Sequence, residues 1–249
     1  IQDMTFSQSR DFMAGVKLKY DVKNWFTVNL SLHSDFYDRF KRHERIDERN
    51  NVYKSKIFEP RLTLTSSYFT GHNIIFGVEH TTDELTSDRF VNRRMTTRSL
   101  HETEYFLQDE WTVNSHWMLS SGVRTNFSKA FGFMWMPKIA IKYAPDNHWA
   151  LRANYSMGYR APSIKELFFN WDHLGMFQIK GSENLQSEKN NYFSLGAEYS
   201  KERFFINVNA YANIFNKKIE GVWRIYDMQY NFEYINLKSQ RMLGIEAIM

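Results

Sequence analysis

The residues best placed to do chemistry in this chain are suited to binding, because a cation, aromatic rings and a histidine share one segment. Tyr159 and Arg160 end an alternating stretch, and Trp171, Asp172 and His173 follow in a polar segment. A guanidinium holds anionic groups through paired hydrogen bonds, and a neutral imidazole is a good ligand for iron. These five residues are the candidate ligand-binding residues.

A second concentration of charge lies between Arg39 and Lys56, where basic residues stand among acidic ones. It could attract anionic ligands or the phosphates of lipopolysaccharide, or it could be a solvated loop. Its central basic residues are Lys41, Arg42, Arg45 and Arg49.

The motifs of common enzymes are missing from the sequence. It has no Gly-x-Ser-x-Gly elbow, no His-Glu-x-x-His and no glycine-rich phosphate loop. The absence of cysteine excludes disulfides and thiolate metal sites. The net charge of +4 is too small to favour nucleic acid. We therefore expect a protein that is not an enzyme, without catalytic residues, metal or cofactor.

Alternation with a period of two dominates the chain and predicts strands. Mean hydropathy is -0.56, and no run of about 18 apolar residues could form a membrane helix. Membrane strands remain possible, because their polar and apolar residues average out. Eleven alternating stretches stand out, and many approach the ~9–11 residues that cross a bilayer as a tilted strand. They are residues 12–22, 26–32, 62–68, 74–78, 105–113, 117–127, 135–143, 149–159, 193–199, 204–210 and 235–249.

The connections alternate between short turns and longer polar links. Long links are expected at residues 34–55, 84–101, 161–189 and 216–229, and only 128–134 is short among them. Tyr, Trp and Phe flank all five short turns, as the aromatic girdle of a membrane barrel does. We predict an all-β, antiparallel up-and-down transmembrane barrel in the outer membrane of a Gram-negative bacterium, with the short turns in the periplasm.

Eleven is an odd number of strands, whereas bacterial single-chain barrels use even numbers. Lipid does not tolerate a sheet edge with unpaired backbone groups. We therefore expect this chain to be part of a larger barrel, with partners for its first and last strands.

Several motifs resemble those of one family. Residues 158–163 read GYRAPS, residues 181–185 read GSENL, and residues 195–198 read LGAE. Together with Gln108–Trp111 and Pro137–Ile139, they resemble the barrel of TonB-dependent outer-membrane receptors over most of residues 60–249. The GSENL box lacks the proline that is usual in this family.

This resemblance implies a barrel of about twenty-two strands filled by an N-terminal plug. It also implies import of a scarce, bulky ligand (siderophore-iron, haem or cobalamin) with energy from the TonB complex. Residues 1–249 would then be a partial barrel domain, in contact with lipid and lipopolysaccharide and without the plug. A passive porin is the alternative function, although a porin would lack these boxes.

The resemblance also suggests roles for individual residues. Some haem receptors of the family carry a ligand-binding histidine between the two boxes, where His173 lies; the alternative is a solvated loop histidine. Arg160 could bind an anionic ligand group, brace the plug or form an ion pair within a loop. Residues on the polar side of the strands are expected to line the lumen and contact the plug: Arg124, Lys138, Arg152, Asn154 and Glu198.

Overall fold

The computed structural model describes residues 5–43, 48–90, 94–173, 176–226 and 228–249. Its described part is one sheet of thirteen strands and one short helix. The strands are β1 (Thr5–Lys23), β2 (Phe26–His43), β3 (Glu48–Ser66), β4 (His72–Ser87), β5 (Thr96–Thr112), β6 (Trp117–Ser128), β7 (Gly132–Tyr143), β8 (Trp149–Arg160), β9 (Asn170–His173), β10 (Phe177–Lys180), β11 (Glu188–Lys201), β12 (Phe204–Tyr226) and β13 (Gln229–Ile248). The helix is α1 (Ile164–Phe168).

The eleven long strands follow one another as an antiparallel meander, in the order β1 to β8, then β11, β12 and β13. This confirms the predicted all-β fold and the eleven predicted strands. The short strands β9 and β10 were not predicted, and β10 adds to β13 as a parallel neighbour. We call the end with the five short turns the turn end, and the opposite end, which carries α1, β9 and β10, the loop end.

The register of the strands joins their separate alternations into two continuous faces. Leu18 lies opposite Leu30, Leu30 opposite Leu62, Leu62 opposite Val78 and Val78 opposite Tyr105. Because side chains alternate across a strand, this row belongs to one face, which we call the apolar face. The other is the polar face. Large side chains on the apolar face are well exposed, as expected of a surface that meets lipid.

Aromatic rings at the turn end pair between neighbouring turns as well as within single turns. Trp25 packs edge-on against Tyr68, with ring centroids 4.9 Å apart. Trp117 stacks on Tyr143 at 4.3 Å, and Trp149 lies 4.9 Å from Tyr199. The rings form part of a belt at one level of the sheet, as the girdle prediction requires.

At the loop end the predicted long polar links are shorter than expected. Most of residues 34–55 and 216–229 belong to strands, because β2 pairs with β3 and β12 with β13 almost to the hairpin tips. Backbone pairing continues there although the alternation of apolar residues fades. A segment whose faces both meet water needs no alternation, so hydropathy could not reveal these strands.

Pro137 marks a local break in the sheet. The ladder between β7 and β8 runs from Tyr143 to Lys138 and ends immediately before this proline. Proline has no N–H to donate to a neighbouring strand, so the two strands separate toward the loop end. Among the described residues, no helix is long and apolar enough to cross a membrane.

Candidate functional site

The segment between β8 and β11 is anchored at its base by Arg160. The Nη1 atom of Arg160 donates to both carboxylate oxygens of Glu166, at 3.1 and 3.0 Å. Its Nη2 atom reaches Glu188 at 3.4 Å. The guanidinium thus joins the last residue of β8 to α1 and to the first residue of β11. This geometry corresponds to the loop-brace alternative for Arg160.

Glu166 also fixes the start of α1. Its carboxylate accepts a 2.7 Å hydrogen bond from the backbone N–H of Ser163, while the Ser163 hydroxyl accepts one from the backbone N–H of Glu166. This reciprocal pair is a capping box, which satisfies donors that a helix start leaves open. The proline and serine of the GYRAPS motif therefore end the strand and begin the helix.

The helix docks on the polar face at the loop end. Ile164 is 1% exposed and packs in a cluster with Leu85, Phe90 and Phe169. Leu85 lies on β4, so α1 reaches across the sheet from β8 to β4. Burial of large apolar side chains is the main force that holds such a segment.

A second set of contacts holds the end of the segment. Leu167 and Leu185 pack with Ile219 of β12. The Asn236 side chain accepts from the backbone N–H of Gln186 at 2.8 Å and donates to the Gln186 carbonyl at 2.8 Å. The side-chain amide of Asn236 therefore makes the two backbone hydrogen bonds with Gln186 that a paired strand would otherwise make.

The predicted ligand-binding residues occupy two places. Tyr159 and Arg160 lie at the base of the segment, where the Tyr159 hydroxyl accepts a 3.3 Å hydrogen bond from Ser187. Trp171 and Asp172 lie in β9, and His173 is its last residue. The Arg89 guanidinium lies over the Trp171 ring, 4.3 Å from its centroid. The roles of all five in ligand binding stay predictions.

A cavity of about 390 Å³ opens between α1 and the polar face at the loop end. Three cations from different parts of the chain line it: Arg39 of β2, Arg89 just after β4, and Lys165 of α1. Tyr37 and Tyr53 line it as well, with their rings edge-on at 5.6 Å. We call these five residues the cationic pocket.

The charge of the pocket is concentrated. Burial lowers the pKa of Arg89, and the nearby charge of Arg39 lowers it further. The Lys165 ammonium lies 5.2 Å from the centre of the Tyr53 ring. Asp11 and Asp35 also line the cavity, so the three cations exceed the acidic groups by one. Such a site can hold an anionic ligand with aromatic groups, through ion pairing and cation–π contact.

The five residues predicted to line the lumen lie on the polar face. Arg124 pairs with Glu104 at 2.7 Å, and Arg152 pairs with Glu198 at 2.9 Å. Asn154 donates to Ser194 at 3.0 Å, and Lys138 lies opposite Ser156. Their contact with a plug stays a prediction.

Sequence reasoning missed most of the cationic pocket. Arg89, Lys165 and the two tyrosines carry no motif. The tyrosines meet through the pairing of β2 with β3, and Lys165 reaches them because α1 folds onto the polar face. From the charged link, Arg39, Tyr53 and Ser55 line the pocket. Lys41 is exposed, Arg42 lies opposite Arg49, and Arg45 is outside the described residues. Within the described ranges, no group of three or more His, Asp or Glu residues could hold a metal ion.

Comparisons with known proteins agree with this architecture. The model of the family "TonB dependent receptor-like, beta-barrel" matches residues 2–248. An "Iron-regulated outer membrane virulence protein" of Vibrio cholerae is 27% identical over 177 residues, which are 70% of this chain and 26% of that protein. The chain thus spans about a quarter of this curated relative.

Solved structures share the fold at low sequence identity. A mutant of the ferric enterobactin receptor PfeA from Pseudomonas aeruginosa has a TM-score of 0.80 at 16% identity, over 97% of this chain and 41% of that one. The siderophore receptor PirA from the same organism has a TM-score of 0.72 at 14% identity, over 96% of this chain and 53% of that one. These relatives are receptors rather than enzymes, and their family resides in the outer membrane. The chain belongs to the TonB-dependent receptor family and is part of the β-barrel of such a receptor.

Proposed function

We propose that the whole protein imports an anionic iron–siderophore complex across the outer membrane, with energy from the TonB complex. The observation that carries this proposal is the cationic pocket at the loop end. The short turns of the opposite end predict that the turn end faces the periplasm, which would put the pocket at the external mouth. Ferric complexes of catecholate siderophores are anionic and present aromatic rings. Guanidinium groups and tyrosines are the natural partners of both features.

The relatives support the same ligand class. The structural neighbours include structures of the ferric enterobactin receptor PfeA, two of them in complex with enterobactin. The iron-regulated relative from Vibrio cholerae is consistent with a role in iron supply. Haem and cobalamin remain less favoured ligands, since the pocket offers cations and phenol rings rather than an imidazole.

Charge removal in the pocket tests the ligand class. We would measure binding of ferric enterobactin to the full-length receptor and to its Arg89→Gln and Lys165→Gln variants. Each lost charge-assisted contact is expected to weaken binding about tenfold, which corresponds to about 1.4 kcal/mol. Lys142→Gln is the matched control, because Lys142 lies near the turn end of the polar face, far from the pocket.

Unchanged affinity in both pocket variants would remove the cationic pocket from ligand capture. Haem is the competing probe. A Soret shift of the wild-type receptor that disappears in His173→Ala would favour haem over siderophore.

Energy dependence tests the transport class. Uptake of radiolabelled ferric enterobactin by cells with the full-length receptor should stop when TonB is deleted or the proton-motive force is collapsed. Normal uptake under either condition would favour the passive porin.

A further inference from the structure

A groove of about 510 Å³ lies in the apolar face close to the turn end. Its lining comes from five neighbouring strands, β6, β7, β8, β11 and β12, and it belongs to the side of the sheet opposite the cationic pocket. We propose that this groove binds one acyl chain of a phospholipid from the periplasmic leaflet of the outer membrane.

Small residues in adjacent strands create the floor of the groove. Ala153 lies opposite Leu195, and Leu195 lies opposite Ala210. In the next row, Ala197 lies between Leu151 and Val208. An alanine side chain extends only one carbon from the backbone, so these positions form a recess between the larger neighbouring side chains.

Larger side chains form the walls. Ile141 and the stacked pair of Trp117 and Tyr143 border the groove on the β7 side. Leu195, which is 67% exposed, and Leu151 rise beside the alanines. Arg152 is the one charged residue in the lining, and its guanidinium pairs with Glu198 on the polar face. The rest of the lining is apolar or glycine, apart from the Tyr143 hydroxyl, so a hydrocarbon chain gains contact there with little desolvation of polar groups.

The level of the groove favours the periplasmic leaflet. The ring pair of Trp149 and Tyr199 stands at the turn end of the same strands, and such rings mark the headgroup level. A chain that enters beside these rings would run toward the bilayer centre. Lys201 and Arg203, at the exposed β11–β12 turn, supply cations for a lipid phosphate, next to the acidic Glu202.

The backbone under the groove argues against an added strand as occupant. Ile141 pairs with Ala153 across the β7–β8 ladder, and the β8–β11 and β11–β12 ladders continue without interruption at this level. With its backbone groups paired, the sheet offers no edge here for β-augmentation. What remains is side-chain contact inside the lipid-facing surface, which suits an acyl chain.

Native mass spectrometry of the full-length receptor tests the proposal. The receptor would be exchanged into nanodiscs of palmitoyl-containing phosphatidylethanolamine and phosphatidylglycerol and then released into mild detergent. Ala153→Leu and Ala210→Leu fill the groove with apolar carbon and should each reduce the retained phospholipid severalfold. Ala14→Leu makes the same change on the apolar face of β1, outside the groove, and should retain as much phospholipid as the wild type.

The heat-dependent migration of the folded barrel in gels should be unchanged in all three variants, which shows that they fold. Equal retention of phospholipid by folded wild-type and groove-filled receptors would overturn the proposal. The variants would also be isolated from native membranes. If the groove-filling substitutions then reduced the retained lipopolysaccharide and left the retained phospholipid unchanged, the proposal would also be overturned.

Discussion

The two ends of this sheet are held together by different kinds of contact. At the turn end, the interactions join adjacent strands, such as the turns closed within a few residues and the ring pair of Trp117 on β6 and Tyr143 on β7. At the loop end, the interactions also join segments that are not paired with each other in the sheet: Ile164 of α1 packs on Leu85 of β4, and Asn236 of β13 holds Gln186, which precedes β11. Stability at the turn end therefore rests on contacts between paired strands, whereas at the loop end it also depends on the docking of a segment that crosses the sheet.

This difference suits a receptor. A wall that spans lipid must keep every backbone group paired, and the turn end secures that pairing. A mouth that captures a ligand benefits from segments of lower stability, because such segments can move without unfolding the barrel. Changes at the loop end should accordingly alter ligand binding, and changes at the turn end should alter barrel stability.

The largest effect is expected from Ile164→Ala. Removal of a fully buried isoleucine side chain costs about 2–5 kcal/mol, and here that cost falls on the docking of α1. Deuterium exchange of residues 161–187 in the full-length receptor should accelerate by at least about tenfold, since about 1.4 kcal/mol corresponds to a factor of ten. Ferric enterobactin binding should weaken with it. The control is Ile139→Ala on the apolar face, which should leave both unchanged; an unchanged exchange rate in Ile164→Ala would mean that docking does not depend on this contact.

Glycines with positive φ offer a matched pair, one at each end. Gly71, at the turn end, has φ of 81° and would bring an added Cβ to 2.8 Å from the Thr112 carbonyl oxygen. Gly132, at the loop end, has φ of 78° and would meet nothing within 4 Å. Both alanine variants bear backbone strain of about 1–3 kcal/mol, but only Gly71→Ala adds a steric clash. The thermal midpoint, read from gel migration of the full-length barrel, should fall further for Gly71→Ala, and the reverse order would contradict this account.

A smaller effect is expected from Arg160→Ala. The Arg160 side chain is partly exposed, so solvent reduces the value of its ion pairs with Glu166 and Glu188 to about 1 kcal/mol. Deuterium exchange near the base of the segment should rise by about fivefold, since about 1 kcal/mol corresponds to that factor. Arg160→Lys keeps the positive charge but loses the planar guanidinium with its several donors, so its exchange rate should lie between those of the wild type and Arg160→Ala. If instead ligand affinity collapsed while exchange stayed unchanged, Arg160 would contact the ligand directly.

The contrast between the ends also explains what the sequence could reveal. The alternation near Leu18 or Leu62 follows from contact with lipid, and the aromatic residues at the turns follow from the headgroup level. Both patterns involve residues close together in the chain, so the sequence alone reveals them. The sequence alone does not reveal the cationic pocket, because Arg39, Arg89 and Lys165 come together only after α1 has crossed the sheet. The short strand β10 escaped prediction for the same reason, since it pairs with β13, more than 50 residues away, and β9 joins the sheet only through β10.

The smallest effect concerns the turn between β7 and β8. The Asp146 carboxylate accepts hydrogen bonds from the backbone N–H groups of His148 and Trp149, at 2.7 and 3.0 Å, and these bonds lower its pKa below the usual 3.8. Because the folded-state pKa is the lower one, the contribution of Asp146 to stability is present above the unfolded-state pKa and disappears as pH falls through the folded-state value. Amide protection of His148 and Trp149, corrected for the intrinsic exchange rate, should therefore decline in acid below about pH 4. Asp146→Asn keeps the acceptor oxygen without the titration, so its protection should be lower at neutral pH and flat across the same range. Ligand affinity should not change in this variant, and a change would mean that the two ends are coupled.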